Sequence, residues 1–167
     1  MARCGNSYWQ RPAPQRRYTR DQSGTLVTKE VISVLCVDDN RMLADALAMQ
    51  FKSHPDLAWA GWLENSSDLV QQICDAQPDV VLMDIDMPGP DPFLAVRDLA
   101  ETAPAIRVLM FSGYVRRDYI DRAIEMGAWG YVSKNESMSE VIDALRRAHS
   151  GEFVLTPEVL PEQRVTP

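Results

Sequence analysis

Short apolar runs alternate with amphipathic stretches from Val31 to about Ser150. The runs are rich in β-branched residues, which is typical of buried strands. The stretches between them repeat their apolar positions every three to four residues, as helices do. We predict strands at Val31–Val37, Leu57–Leu63, Val80–Met83, Ile106–Phe111 and Gly130–Val132, with less regular helical patterns near 67–76 and 92–102.

The apolar positions also predict which side chains fill the core. In the first helix, one face is expected to be buried and carries Leu43, Ala46, Leu47 and Phe51. Methionine is unbranched and fills irregular gaps, so the simplest role for three methionines is core filling, at positions Met42, Met49 and Met83. Trp59, Trp62 and Trp129 are expected to be packing or rim residues.

The strict alternation of strands and helices predicts the fold class. It favours an α/β protein with a flavodoxin-like, doubly wound, five-stranded parallel sheet of strand order 2-1-3-4-5. This single domain is expected to occupy residues 31–150. Residues 1–30 have no sustained period and are expected to form a disordered basic arm, and residues 151–167 a C-terminal tail or linker remnant.

Charge is distributed unevenly between the arm and the rest of the chain. Residues 1–30 hold six Lys and Arg residues against two acids, whereas the remainder holds 11 cations against 22 acids. An acidic body argues against direct DNA binding by the domain, because phosphate contacts require clustered Lys and Arg. For the arm we favour a solvated tail, and an anion- or nucleic-acid-binding arm and a mitochondrial-type transit peptide stay open.

The cysteines and the hydropathy pattern bear on the compartment. Three widely spaced cysteines give neither a disulfide framework nor a paired metal-binding motif. The sequence has no apolar run long enough for a membrane span, and the N-terminus lacks the apolar stretch of a secretory signal. We therefore expect a cytoplasmic protein without a membrane association.

Polar residues follow the predicted strands at the edge where ligands bind in such sheets. The positions are Asp38 and Asp39 after the first strand, Asp84 after the third, Ser112 after the fourth and Lys134 after the fifth. Three neighbouring carboxylates repel one another, and a hard divalent cation such as Mg²⁺ compensates this repulsion. Asp84 beside Mg²⁺ could then attack a phosphoryl group, with Lys134 and Ser112 stabilising its oxygens.

The segments VLCVDDN, DIDMPG, MFSG and GYVSK, in this order, resemble the receiver domain of two-component response regulators, over roughly Val31 to Ser150. The resemblance implies that Asp84 accepts the phosphoryl group. It implies direct Mg²⁺ binding by Asp39, help through water from Asp38, and a third ligand in the main-chain carbonyl of Asp86. It also implies that Ser112 is the switch hydroxyl and Lys134 the phosphate-pairing lysine. Tyr131 is then the aromatic residue whose exposure changes with the switch.

A phosphohydrolase of the haloacid dehalogenase kind is a competing interpretation, because Asp84 and Asp86 form a DxD motif after a strand. In those enzymes a further acidic pair comes last in sequence, whereas here the pair comes first. We therefore favour a signalling phosphoacceptor over an enzyme.

The resemblance also bears on partners. GYVSKNES and GEFVLTPEV look most like receivers of the NarL/FixJ group, which continue into a DNA-binding domain. We expect a receiver that accepts phosphate from a sensor histidine kinase or a phosphotransfer protein and then binds an unknown downstream protein. A truncated NarL/FixJ-type transcriptional regulator is the alternative, and a phosphorylation-dependent homodimer stays open.

Overall fold

The computed structural model describes residues 16–20, 26–65 and 68–160. The strands are β1 Arg16–Arg20, β2 Leu26–Glu30, β3 Ile32–Val37, β4 Leu57–Leu63, β5 Val80–Met83, β6 Arg107–Ser112, β7 Gly130–Ser133 and β8 Val154–Leu155. The helices are α1 Arg41–Phe51, α2 Leu69–Ala76, α3 Pro92–Thr102, α4 Arg117–Glu125 and α5 Met138–His149. Within the described residues, no helix is both long and apolar enough to cross a bilayer.

Six of these strands form one parallel sheet in the order β4-β3-β5-β6-β7-β8. The five strands β3 to β7 are the predicted ones. When they are numbered 1 to 5 along the chain, their order in the sheet is the predicted 2-1-3-4-5. The α/β doubly wound fold is therefore confirmed.

The core is divided by the sheet into two apolar layers, because successive strand residues point to opposite faces. Val34 and Cys36 belong to the layer that contains residues of α1 and α5. Leu35 and Val37 belong to the layer that contains residues of α2, α3 and α4. Helices thus cover both faces of the sheet.

Side chains cap three of the helices and fix where they begin. Asn40 Oδ1 accepts from the Leu43 amide at 3.2 Å in front of α1. Asp91 Oδ1 accepts from the Phe93 amide at 3.0 Å, next to a proline in the first turn of α3. Ser137 Oγ accepts from the Glu140 amide at 3.3 Å in front of α5.

The buried face of α1 differs from the prediction. Ala44, Leu47 and Phe51 are buried, whereas Ala46 is exposed. The expectation that Met42 and Met49 fill the core is wrong, since these side chains are 82% and 68% exposed. Both lie on the solvent side of α1, because the core face follows the three- and four-residue spacing from Ala44. Met83 is buried, as predicted.

The ordered body extends past the boundary predicted at Ser150. β8 adds a sixth strand beside β7, with Gly130 paired to Val154. Gly130 permits this approach, because a Cβ atom there would lie 2.2 Å from the Val154 carbonyl oxygen. Val154 and Val159 are buried, so this part of the predicted tail belongs to the folded domain.

A second, two-stranded sheet lies in the segment expected to be a disordered arm. β1 and β2 pair antiparallel, with Arg16 opposite Glu30. The structure differs here from the expectation because the segments RRYTR and LVTKE contain tyrosine, valine and threonine, which favour strands. The rest of the arm, residues 1–15 and 21–25, lies outside the described residues.

Candidate functional site

Main-chain hydrogen bonds of the sheet extend to the residue that directly follows a strand, and these bonds fix the positions of the predicted site residues. The Asp38 amide donates to Leu63 O at 3.0 Å, and the Asp84 amide donates to Val37 O at 2.8 Å. At the other side, the Lys134 amide donates to Ser112 O at 2.8 Å. The carboxyl ends of β3, β5, β6 and β7 thus carry these residues on one edge in fixed register.

Three carboxylates meet at this edge. Asp38, Asp39 and Asp84 each offer a carboxylate oxygen, and these atoms all lie within 4.8 Å of one another. Asp38 and Asp84 are only 0% and 3% exposed, whereas Asp39 is exposed to solvent. Burial, together with the neighbouring Asp84, raises the pKa of Asp38 despite the opposing effect of Lys134. The group is therefore an acidic cluster with one carboxylate, that of Asp39, open to solvent.

The donor set fits a hard divalent cation. All three ligand atoms are carboxylate oxygens, which Mg²⁺ prefers, and the exposed Asp39 leaves room for the waters that this ion retains. At about 4 Å, two unit charges repel by roughly 4 kcal/mol at an effective dielectric near 20, so a bound cation relieves a substantial cost. Asp86 is exposed in the loop after β5, and the role of its carbonyl oxygen stays a prediction.

Lys134 supplies a positive charge inside the cluster. Its Nζ lies 2.7 Å from Asp38 Oδ2 and 3.1 Å from Asp84 Oδ1, and its side chain is 21% exposed. Burial alone would lower the pKa of Lys134, but the two carboxylates outweigh it and raise this pKa. The Lys134 ammonium is therefore directed at both Asp38 and Asp84.

The predicted switch residues meet at the main chain of Tyr114. Ser112 is buried, and its Oγ accepts from the Tyr114 amide at 3.0 Å. The Tyr131 hydroxyl donates to the Tyr114 carbonyl oxygen at 2.6 Å, and the ring is buried. Burial raises the pKa of Tyr131. One peptide segment thus connects Ser112 and Tyr131.

Trp62 makes a contact with the site that the sequence pattern does not reveal. It packs against the core, as expected for a packing or rim residue, but its Nε1 also donates to the Asp38 carbonyl oxygen at 2.6 Å. The Asn40 amide donates to Asp38 Oδ1 at 2.8 Å. Asp38 is thus fixed through its main-chain carbonyl and through its carboxylate.

The fold and the edge site together define a doubly wound α/β protein with a lysine-paired acidic cluster. Residues 34–146 match the family model described as "Response regulator receiver domain". This match covers more than half of the chain, and the chain therefore belongs to the response regulator receiver domain family.

Curated relatives agree with this assignment, and solved structures share the fold. The chain is 30% identical over 133 residues to the response regulator protein VraR of Staphylococcus epidermidis, covering 80% of this chain and 64% of the relative. A LuxR-family two-component response regulator from an Aurantimonas species superimposes with a TM-score of 0.73 at 24% identity, covering 78% of this chain and 93% of that one.

The isolated receiver domain of RcsB from Salmonella enterica serovar Typhimurium, solved in the presence of the phosphomimetic BeF₃⁻, gives a TM-score of 0.71 at 16% identity. This superposition covers 78% of this chain and 96% of that one. The chain thus spans about 64% of the length of the curated relatives that it matches. The family is one of signalling phosphoacceptors rather than classical enzymes.

Proposed function

We propose that this protein is a Mg²⁺-dependent phosphoacceptor that receives a phosphoryl group on Asp84 from a histidine kinase. The observation that carries the proposal is the position of the Asp84 carboxylate, 3.1 Å from Lys134 Nζ and within 4.8 Å of the oxygens of Asp38 and Asp39. A nucleophilic carboxylate, a fixed ammonium and a set of oxygen ligands are the groups that phosphoryl transfer to aspartate requires.

The transfer step uses the protein's own residues as follows. A carboxylate oxygen of Asp84 attacks the phosphorus of a phosphohistidine, the P–N bond breaks, and the bonding electron pair leaves with the imidazole nitrogen. Lys134 neutralises charge that develops on the phosphoryl oxygens. Asp38 and Asp39 are the residues that would hold Mg²⁺, which supplies further neutralisation when bound.

The contacts of Ser112 suggest how occupancy of Asp84 is sensed. Ser112 Oγ accepts from the Tyr114 amide, so its hydroxyl hydrogen remains able to donate to a phosphoryl oxygen. A shift of Ser112 toward that oxygen pulls on Tyr114, to which the Tyr131 hydroxyl is bonded. We propose that this movement remodels the surface of α4, β7 and α5, which then binds a downstream protein in the cytoplasm.

A second output is supported by the comparisons. The curated relatives are longer than this chain, and a solved LuxR-family relative from Staphylococcus aureus is described as a DNA-binding response regulator. If the native protein includes a DNA-binding domain, the same switch would control transcription directly.

Phosphorylation by acetyl phosphate with Mg²⁺ tests the phosphoacceptor proposal. The wild type should gain one phosphoryl group by intact-protein mass spectrometry, and Asp84→Asn should gain none. Asp86→Asn is the matched control, because it alters an exposed acid two residues away and keeps the main-chain carbonyl. Label that persists on the Asp84→Asn variant would overturn the assignment.

A further inference from the structure

The chain after α5 returns to the sheet beside β7. We refer to residues 154–160 as the C-terminal segment. It begins with β8, and the Thr156 amide continues the pairing to Tyr131 O at 3.3 Å. Val154, Thr156 and Val159 are 0%, 1% and 4% exposed. The segment is therefore an integral part of the folded domain.

The C-terminal segment contacts the turn between β7 and α5 through three hydrogen bonds. The Ser133 amide donates to Thr156 Oγ1 at 3.2 Å, and the Ser133 hydroxyl donates to Glu158 Oε2 at 2.6 Å. In the opposite direction, the Glu158 amide donates to Glu136 Oε1 at 2.8 Å. The segment and the turn are thus bound at residues 133 and 136.

Lys134 lies between these two anchor points. Ser133 Oγ also accepts from the Asn135 amide at 3.1 Å. The hydroxyl of the residue before Lys134 is thus bonded to the main chain of the residue after it. Ser133 is completely buried, and Glu158 is the acceptor that orients its hydroxyl. The turn that directs Lys134 at Asp84 is therefore held in part by a carboxylate 24 residues further along the chain.

We propose that Glu158 is a positioning residue for Lys134 and couples docking of the C-terminal segment to phosphoryl occupancy of Asp84. The inference rests on the proposed phosphoacceptor function and adds a route by which the site communicates with the end of the domain. A docked segment holds Lys134 ready to pair with phosphoryl oxygens. Because coupling between two sites is reciprocal, occupancy of Asp84 in turn strengthens docking of the segment.

Glu158 variants separate this role from simple packing. Glu158→Ala removes the acceptor, whereas Glu158→Gln keeps an oxygen that can accept from the Ser133 hydroxyl. Glu152→Gln is the matched control, because Glu152 lies just before the segment and accepts instead from Arg147 of α5, at 2.6 Å from its Nη2. Beryllofluoride with Mg²⁺ is the probe, and its affinity is measured by tryptophan fluorescence.

The expected result is a loss of affinity for beryllofluoride of about fivefold in Glu158→Ala, at the lower end of typical coupling between sites. Glu158→Gln and Glu152→Gln should stay near the wild-type affinity. In hydrogen exchange, Mg²⁺ with beryllofluoride should slow exchange of the amides of residues 154–160 in the wild type and not in Glu158→Ala.

The outcomes separate this inference from the proposed function. A wild type that does not bind beryllofluoride contradicts the phosphoacceptor function itself. A wild type that binds it, with Glu158→Ala unchanged or with Glu158→Gln as weak as Glu158→Ala, overturns only the role of Glu158. Exchange that is unaffected by beryllofluoride in the wild type also overturns the coupling.

Discussion

The indole N–H of Trp62 donates a 2.6 Å hydrogen bond to the carbonyl oxygen of Asp38. Asp38 is buried, and its carbonyl lies at the point where β3 passes into the acidic loop. This bond ties the edge strand β4 to the candidate metal site, so a residue outside every sequence motif helps to hold the loop that carries Asp38 and Asp39.

Replacing Trp62 with Phe should loosen this loop. The substitution keeps an aromatic ring but removes the donor, and leaving a partly buried acceptor without a partner costs about 1–3 kcal/mol. We expect a lower free energy of unfolding in urea and weaker Mg²⁺ binding. Trp59→Phe is the control, because Trp59 lies on the same strand and contacts Phe51 edge to face. Equal effects of the two substitutions on Mg²⁺ affinity would refute the role of the indole N–H.

Removing the ammonium of Lys134 should separate metal binding from phosphoryl transfer. Lys134→Ala removes the cation beside Asp38 and Asp84 but leaves their carboxylates in place. The variant should therefore still bind Mg²⁺. Phosphorylation by acetyl phosphate should become much slower, since charge on the transferring group is no longer neutralised. Mg²⁺ titration and mass spectrometry check the two parts, and wild-type phosphorylation would contradict the assignment.

The buried Cys36 thiol should lower the free energy of unfolding at alkaline pH. Burial, with a smaller effect from Asp38, raises the pKa of Cys36 from 9.0 to about 12. Above pH 9 the unfolded chain loses this proton while the folded protein keeps it, so the free energy of unfolding falls as pH rises toward 12. The slope from this group is at most about 1.4 kcal/mol per pH unit.

Urea unfolding at a series of pH values measures this slope. Cys36→Ala should be less stable at neutral pH, because it leaves a cavity in the core, but its stability should fall less steeply above pH 9. Parallel curves for the wild type and Cys36→Ala would show that Cys36 does not cause the alkaline loss.

Arg146 anchors the end of α5 to the loop before β4. Its Nε and Nη2 donate to the two carboxylate oxygens of Asp56 at 2.7 and 3.1 Å, and Asp56 is buried whereas Arg146 is partly exposed. Arg146→Ala should lower the free energy of unfolding by about 1–2 kcal/mol, which is less than for a fully buried pair because solvent screens the guanidinium. Arg147→Ala, which breaks more exposed ion pairs, should cost under about 1 kcal/mol.

The strand-end residues could be predicted from sequence because their positions depend only on local pattern. A run of apolar residues marks each buried strand, and parallel strands present their carboxyl ends on one edge. Asp38, Asp84, Ser112 and Lys134 therefore follow from the order of elements alone.

The contact of Trp62 could not be predicted because it depends on the register between β3 and β4. The pairing shifts between Val34 and Leu35, which brings Gly61 opposite Leu35 and Trp62 opposite Cys36. Gly61 has φ of +142°, a conformation that glycine adopts readily. Nothing in the apolar pattern of the strand reveals this irregularity, which decides where the indole N–H points.

The hydrogen bond between Ser133 and Glu158 could not be predicted from the sequence either. Glu158 lies in the segment expected to be a C-terminal tail or linker remnant, and its contact arises only because β8 brings the chain back along β7. The exposed Met42 and Met49 show the same limitation for a helix, since the rotation of α1 on the sheet is set by tertiary packing.

Gly130 also determines how the sheet ends. Because no side chain stands there, the two-residue strand β8 can cover β7, and a longer row of unpaired main-chain groups is kept away from solvent. Exposed edges of that kind invite pairing with strands of other molecules. A larger residue at position 130 would push β8 away and leave β7 as an exposed edge that other strands could pair with.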